Sequence, residues 1–161
     1  MTTLFSKILI VDDEIAVCEA LKEFFEEKQY NVELAHDGED ALDKLSSFNP
    51  QCVLMDVRMP YLSGVEALKM IKMHNPDIAV IMVSAVSNMK IVEECMRSGA
   101  FGYVLKPVDL DHLEKELDAA LNHHHEGKEK RKKQDAQNNN LITEKQKLEN
   151  LNKTLNRDLY Q

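Results

Sequence analysis

The sequence lacks the features that mark secreted and membrane-bound proteins. It has only three cysteines among 161 residues. Cys18, Cys52 and Cys95 have no CxxC spacing and lie in apolar segments, so we expect buried thiols and no disulfides. No apolar run approaches the roughly 18–20 residues that span a bilayer. The N-terminal segment has one lysine before a strand-like run and does not resemble a signal peptide. These absences predict a cytoplasmic protein that makes no contact with a membrane.

Charge is spread unevenly along the chain, whose net charge is −8. Residues 1–121 contain 22 acidic against 11 basic residues, whereas residues 122–161 contain 6 against 9. An acidic main domain argues against nucleic-acid binding, and only the basic tail leaves that function weakly open. The length suits one domain with an appendage, and the 43% hydrophobic fraction is enough for a core.

Short apolar runs alternate with helical patterns between residues 7 and 121. The strands are predicted at 7–11, 30–35, 51–55, 78–83 and 101–105. This alternation is typical of a parallel α/β sheet, and right-handed crossovers place helices on both of its faces. The fold class is therefore α/β, a doubly wound five-stranded parallel sheet with a C-terminal helical extension. Predicted helix caps are Asp37, Ser63, Ser87 and Asp109 at N-termini and Gly99 after the fourth helix.

The pattern changes after residue 121, which divides the chain into a main domain, 1–121, and a helical linker, 122–161. His123 to Gly127 interrupts the helical pattern, and these histidines are expected at a helix terminus. Leu141, Leu148 and Leu155 then recur every seven residues. This spacing favours a short coiled coil that forms a homodimer, and a frayed single helix or disorder remain alternatives.

A polar group follows four of the predicted strands. These groups are Asp12 with Asp13, then Asp56, Ser84 and Lys106. Taken alone, each of these residues has an ordinary explanation as a cap, a turn residue or a surface lysine. The carboxyl ends of parallel strands open into one crevice, however, so all of these groups would meet there. Three carboxylates that face each other repel, so the set suits a hard divalent cation, Mg²⁺ or Mn²⁺, together with a phosphoryl group. An aspartate there can act as a nucleophile and form an acyl phosphate.

Five segments together resemble the receiver domain of bacterial two-component response regulators. They are Val11 to Glu14, Met55 to Pro60 with Ser63-Gly64, Val83 to Ala85, and Tyr103 to Pro107. The resemblance covers residues 5–121 and implies a flavodoxin-like sheet of strand order 2-1-3-4-5. It also implies a signalling switch that receives a phosphoryl group from a sensor histidine kinase, a phosphotransfer protein or a small acyl phosphate.

The resemblance assigns a role to each site residue. Asp56 is the phosphoacceptor. Asp13, Asp56 and the backbone carbonyl of Arg58 bind the metal, with Asp12 acting through water. Lys106 pairs with the phosphoryl oxygens, and Pro107 follows it. Apart from the resemblance, Lys106-Pro107 also fits an ordinary turn, in which a cis peptide is one option.

Ser84 and Tyr103 match the family's switch pair, which remodels the face formed by the fourth helix, fifth strand and fifth helix. The positions that modulate phosphoaspartate lifetime are Arg58 and Val86, and neither obviously positions a hydrolytic water. We therefore expect a moderately long-lived phosphoaspartate.

Other functions fit the residues less well. An aspartyl phosphatase resembling the haloacid dehalogenases needs a second Asp where Arg58 stands, and a flavin carrier needs a phosphate loop where Asp12-Asp13-Glu14 repels phosphate. A vestigial receiver that acts mainly as a coiled-coil dimerisation module is the more serious alternative. We expect no enzyme beyond assistance to its own phosphorylation and dephosphorylation. The 40 residues after 121 do not reveal an effector domain or partner.

Overall fold

The computed structural model of the chain describes residues 6–159. Residues 1–5 of the predicted main domain and residues 160–161 of the predicted linker lie outside the described residues. The strands are β1 Lys7–Val11, β2 Asn31–Ala35, β3 Cys52–Met55, β4 Ala79–Ser84 and β5 Gly102–Leu105. The helices are α1 Ile15–Glu27, α2 Gly38–Phe48, α3 Gly64–His74, α4 Met89–Arg97 and α5 Leu110–Leu159. The predicted alternation of strands and helices is confirmed.

The five strands form one parallel sheet in the order β2-β1-β3-β4-β5. Side chains of successive strand residues point to opposite faces. Leu9 and Val11 therefore pack in one core cluster, while Ile8 and Ile10 pack in the other. Every residue of β3 and β4 is buried, as expected for central strands covered by helices on both faces. The predicted fold class and strand order are confirmed.

The cysteines are buried as free thiols, as the sequence predicted. Burial raises the pKa of Cys18 to about 11 and that of Cys52 to about 12. In both folded environments, the raised pKa favours the neutral thiol.

Side-chain caps mark the starts of α2, α3, α4 and α5, and one prediction of a cap is wrong. Asp37 accepts a hydrogen bond from the Asp40 amide at 2.7 Å, and Asp109 accepts one from the Asp111 amide at 3.0 Å. Helix α4, however, is capped by Asn88 instead of Ser87, because the Asn88 carboxamide accepts from the Lys90 amide at 2.9 Å. Asparagine and serine cap equally well, so the sequence alone did not separate these neighbours.

Helix α5 does not end at the histidines, so that prediction is wrong. It continues through His123 to Gly127, and a Cβ added at Gly127 would meet no described atom within 4 Å apart from the adjacent helix backbone. A single glycine inside a helix costs only about 1 kcal/mol. His124 is buried, its Nδ1 pairs with the Asp77 carbonyl, and the His123 ring lies 5.6 Å from that of Phe101.

The chain divides into two compact units, Met1–His125 and Glu126–Gln161. The predicted boundary after residue 121 lies four residues before this division. In the second unit, the described residues are helical, and Leu141, Leu148, Leu151 and Leu155 are all more than half exposed. Within residues 6–159, no helix is long and apolar enough to cross a membrane.

Candidate functional site

The register of the sheet places Asp12 and Asp56 side by side. Val11 pairs with Met55, so the residues that follow β1 and β3 leave the sheet at the same edge. The Asp56 amide still donates to the Val11 carbonyl at 3.0 Å, and the Asp12 amide donates to the Ala35 carbonyl at 3.1 Å. The position of both carboxylates is therefore fixed by backbone pairing.

Asp12, Asp13 and Asp56 form an acidic cluster. One carboxylate oxygen from each lies within 4.8 Å of the others. Asp12 and Asp56 are buried, whereas Asp13 is exposed. Because every donor is an oxygen and one side is open to solvent, this set fits a hard divalent cation that retains water ligands. Arg58 lines the same pocket, and a ligand role for its carbonyl stays a prediction.

Lys106 joins the two buried carboxylates directly. Its Nζ lies 2.7 Å from Asp12 Oδ2 and 3.2 Å from Asp56 Oδ2. Burial lowers the pKa of Lys106, but the hydrogen bond to Asp12 and the charge of Asp56 outweigh burial and hold that pKa above its usual value. The sequence predicted a lysine near the phosphoryl group, but it did not reveal the contact with Asp12, which lies 94 positions away.

The second oxygens of these carboxylates are bound by backbone amides. Asp12 Oδ1 accepts from the Glu14 amide at 2.9 Å, and Asp56 Oδ1 accepts from the Val57 amide at 2.7 Å. Each carboxylate therefore has one oxygen on an amide and the other on the same ammonium. Such charge-assisted bonds orient the carboxylates in advance of any ligand.

Gly64 allows α3 to begin directly beside the Asp56 backbone. Its amide donates to the Val57 carbonyl at 2.8 Å. A Cβ at this position would lie 1.9 Å from the Asp56 carbonyl oxygen. The sequence indicated Gly64 as part of the resemblance and of a helix start after Ser63, whose hydroxyl accepts from the Glu66 amide at 3.3 Å. Its role in placing Asp56 depends on tertiary contact and carried no local signal.

Ser84 and Tyr103 meet at Val86. The Val86 amide donates to Ser84 Oγ at 3.2 Å, and the Tyr103 hydroxyl donates to the Val86 carbonyl at 2.5 Å. Ser84 and Val86 are buried, and burial raises the pKa of the half-buried Tyr103. The predicted switch residues are thus connected through a residue that the sequence indicated only as a modulator of lifetime.

An open pocket of about 570 Å³ connects most of the predicted site residues. Its lining includes Asp13, Asp56, Arg58, Ser84, Val86 and Lys106. Asp12, Tyr103 and Pro107 are not part of this lining, although Asp12 bonds to Lys106. The Lys106-Pro107 peptide is cis. Six of the nine predicted site residues therefore reach one opening at the carboxyl edge of the sheet.

The comparisons identify the family. Residues 8–118 match the family model of the response regulator receiver domain. The chain belongs to this family. Over 116 residues it is 39% identical to the transcriptional regulatory protein ZraR of Salmonella typhimurium strain LT2, covering 72% of this chain and 26% of that protein. The chain thus spans about a quarter of the length of this relative.

Solved receiver structures have the same fold. A CheY-like receiver domain protein from Methanospirillum hungatei superposes with a TM-score of 0.74 at 27% identity, covering 76% of this chain and 98% of that one. The CheX–CheY complex from Borrelia burgdorferi, crystallised with BeF₃ and Mg²⁺, gives a TM-score of 0.68 at 29% identity, covering 71% and 87%. The predicted resemblance to receiver domains is confirmed.

Proposed function

We propose that the chain is a phosphorylation-dependent signalling switch in which Asp56 accepts a phosphoryl group. The observation that carries this proposal is the acidic cluster bound by Lys106, with Lys106 Nζ within 3.2 Å of both Asp12 and Asp56. The related complex from Borrelia burgdorferi contains Mg²⁺ and BeF₃, which supports the proposal that this chain also binds a divalent metal and a phosphoryl group. Asp13, Asp56 and the Arg58 carbonyl would hold Mg²⁺ or Mn²⁺ here, with Asp12 acting through water.

The transfer forms an acyl phosphate on Asp56. A carboxylate oxygen attacks the phosphorus of a phosphohistidine on a sensor kinase or phosphotransfer protein. The new O–P bond replaces the N–P bond, and the departing imidazole nitrogen takes a proton from solvent. Lys106 lies where its ammonium can neutralise charge on the transferring group. A bound Mg²⁺ would supply additional positive charge next to the phosphoryl oxygens.

Ser84, Val86 and Tyr103 are the proposed route from Asp56 to the surface. A phosphoryl group on Asp56 offers an acceptor for the Ser84 hydroxyl, which now accepts from the Val86 amide. If Ser84 rotates, the Val86 segment and the Tyr103 hydroxyl bonded to it must readjust. The phosphoryl group shifts this equilibrium only by its different affinity for the two arrangements. The affected face contains α4, β5 and α5.

Acetyl phosphate with Mg²⁺, followed by intact-mass measurement, tests this function. We expect one added phosphoryl group on the wild type and none on Asp56→Asn. Lys106→Ala should keep the acceptor but slow labelling, because the ammonium beside Asp56 is lost. Labelling that persists in Asp56→Asn, or that never occurs in the wild type, contradicts the proposal. We propose no catalysis beyond this self-modification and its reversal.

The second candidate, a vestigial receiver that serves as a dimerisation module, is favoured by the exposed leucines of the second unit. Leu141, Leu148 and Leu155 lie one heptad apart and are each more than half exposed. Two such helices would bury these side chains against each other. Sedimentation with and without beryllofluoride separates the candidates. A dimer that ignores beryllofluoride, combined with absent labelling, favours the module, whereas a shift in self-association supports a switch that signals through α5.

A further inference from the structure

The second unit of the chain contains a basic segment, residues 128–133. Its five positive charges and one negative charge, on Glu129, leave a net charge of +4. By contrast, residues 1–121 contain twice as many acidic as basic residues. A short run of lysine and arginine is typical of segments that bind polyanions. The concentration of positive charge in one stretch of an acidic protein therefore indicates a strongly negative partner.

Helix α5 presents the basic segment to solvent. The helix runs through the segment without a break, and every residue from 128 to 140 is exposed. Among the residues that the structure describes, the four lysines of the segment form no ion pair and no hydrogen bond. Four ammonium groups within about two helical turns repel each other. Phosphate groups of a nucleic acid would relieve this repulsion by replacing the counterions around the lysines.

The residues after the basic segment indicate how two copies of it would be arranged. The seam of a coiled coil would be formed by the leucine repeat, which comprises Leu141, Leu148 and Leu155. Continued towards the basic segment, this seam meets no apolar side chain between 128 and 140, because Ala136 falls outside it whether the leucines occupy a or d positions. Lys130 or Arg131 would instead face its own copy. Two helices paired through the leucines should therefore separate before the basic segment and form a fork.

Such a fork matches the shape and the charge of double-stranded DNA. Basic helices that fork from a leucine-paired dimer cross the major groove, which is about 12 Å wide and admits an α-helix. Lys130, Lys132 and Lys133 point to different sides of the helix, so they can reach phosphates on both walls of the groove. The amides of Gln134, Gln137 and residues 138–140 follow, and such groups bond to phosphates and base edges.

Other polyanions fit this part of α5 less well. A helix that lies on an anionic membrane needs an apolar face, and residues 126–140 contain no apolar side chain larger than that of Ala136. Double-stranded RNA has a major groove that is too deep and narrow for side chains to read. The two phosphate rows of a DNA duplex, by contrast, would be met by both arms of the fork.

We propose that residues 128–140 bind the major groove of double-stranded DNA as one arm of a dimeric fork held together by the leucine repeat. This function lies beyond the phosphorylation switch, and it uses the self-association proposed for the leucine repeat. The contacts are chiefly with phosphates, so binding depends steeply on salt. With about three lysines of each arm on phosphates, the logarithm of the affinity falls against the logarithm of the salt concentration with a slope of about −5.

Fluorescence anisotropy of a labelled DNA duplex, titrated with the full chain at several salt concentrations, tests this inference. The test variant combines Lys130→Gln, Lys132→Gln and Lys133→Gln. We expect its affinity to fall by about tenfold or more, and its salt slope to flatten by about one for each lost phosphate contact. Glutamine forms helices about as well as lysine, so circular dichroism should show an unchanged helix content.

The matched control combines Lys147→Gln, Lys153→Gln and Arg157→Gln. It removes three positive charges from the same helix and leaves the basic segment intact, so its affinity should stay within about twofold of the wild type. A further variant, Leu148→Ser, interrupts the leucine repeat. It should lose self-association in sedimentation and also lose affinity, because a single arm binds without the second.

Four outcomes overturn the inference. The first is no binding by the wild type at about 50 mM salt. The second is an equal loss in both triple variants, which assigns binding to net charge. The third is undiminished binding by Leu148→Ser, which excludes the fork. The fourth is equal affinity for duplex RNA, polyglutamate or vesicles of equal parts phosphatidylserine and phosphatidylcholine, which assigns the segment to another polyanion. Labelling of Asp56 by acetyl phosphate is measured separately, so each of these failures is distinguishable from failure of the proposed switch.

Discussion

Replacement of Gly64 by alanine should displace Asp56 while it leaves the sheet intact. The new Cβ would lie 1.9 Å from the Asp56 carbonyl oxygen and 2.8 Å from the Val57 Cα. Carbon and oxygen atoms approach to about 3.3 Å in close contacts. The loop therefore has to move by roughly 1.4 Å, and the neighbouring atoms are backbone atoms that cannot rotate away.

The two expected effects have different sizes. Overpacking of this kind costs about 1–3 kcal/mol, and loss of the Gly64–Val57 hydrogen bond adds about 1 kcal/mol. The better helix propensity of alanine returns up to about 1 kcal/mol. We expect a net loss of roughly 1–3 kcal/mol in unfolding free energy. Misplacement of a reacting group by about 1 Å can cost around 100-fold in rate, so phosphorylation should suffer more than stability.

Urea unfolding followed by circular dichroism gives the stability, and labelling by acetyl phosphate with Mg²⁺ gives the rate. Gly38→Ala is a milder comparison, because its Cβ would lie 2.7 Å from Leu62 Cδ2, which a rotamer change can move away, and 3.0 Å from Leu62 Cβ, which needs only a small shift. Gly127→Ala is the control, because no described atom apart from the adjacent helix backbone would lie within 4 Å of its Cβ and alanine should stabilise α5. The reasoning is refuted if Gly64→Ala is phosphorylated about as fast as Gly38→Ala.

Three further predictions follow from the site and the core. Mg²⁺ at 100 times its dissociation constant should add about 2.7 kcal/mol to the unfolding free energy of the wild type, and much less to Asp13→Asn. Because the pKa of Lys106 is raised in the folded protein, its contribution to stability is complete at neutral pH and is lost as pH rises above 10.5 and through the folded pKa. In urea titrations at high pH, the unfolding free energies of the wild type and Lys106→Met should therefore converge. The pKa of Cys18 is raised from 9.0 to about 11. Its thiol should therefore not react with a disulfide reagent at pH 8 until urea unfolds the protein. Reaction of Cys18 in the native protein would contradict its burial.

The strands and the order of the site residues could be predicted from the sequence because both follow from short-range rules. A run such as Ile8 to Val11 is apolar throughout, since a central parallel strand is buried on both faces. The residue after each run leaves the sheet at the carboxyl edge. Asp12, Asp56 and Lys106 could therefore be placed together without knowledge of any contact.

What the sequence did not reveal depends on tertiary packing. Helix α5 was expected to end near His123, but it continues, and His124 is buried with its ring nitrogen paired to the Asp77 carbonyl. The role of Gly64 comes from the path of one loop, which contacts both the Asp56 backbone and the start of α2. The capping pattern at Ser63 predicts where α3 begins, but it does not predict how close that start lies to the Asp56 backbone.

Lys106 connects the charge at Asp56 to two other segments of the site. Its ammonium binds Asp12 and Asp56, and its backbone amide donates to the Ser84 carbonyl at 2.9 Å. Three carboxylates and one ammonium leave two net negative charges, so the site favours added positive charge before it accepts a phosphoryl group. If that group draws the ammonium from Asp12, Asp12 Oδ2 loses its charged partner while Oδ1 still holds the Glu14 amide. Phosphorylation at Asp56 should therefore disturb the start of α1 as well as the Ser84–Val86 segment, and amide exchange at Glu14 should change together with exchange at Val86.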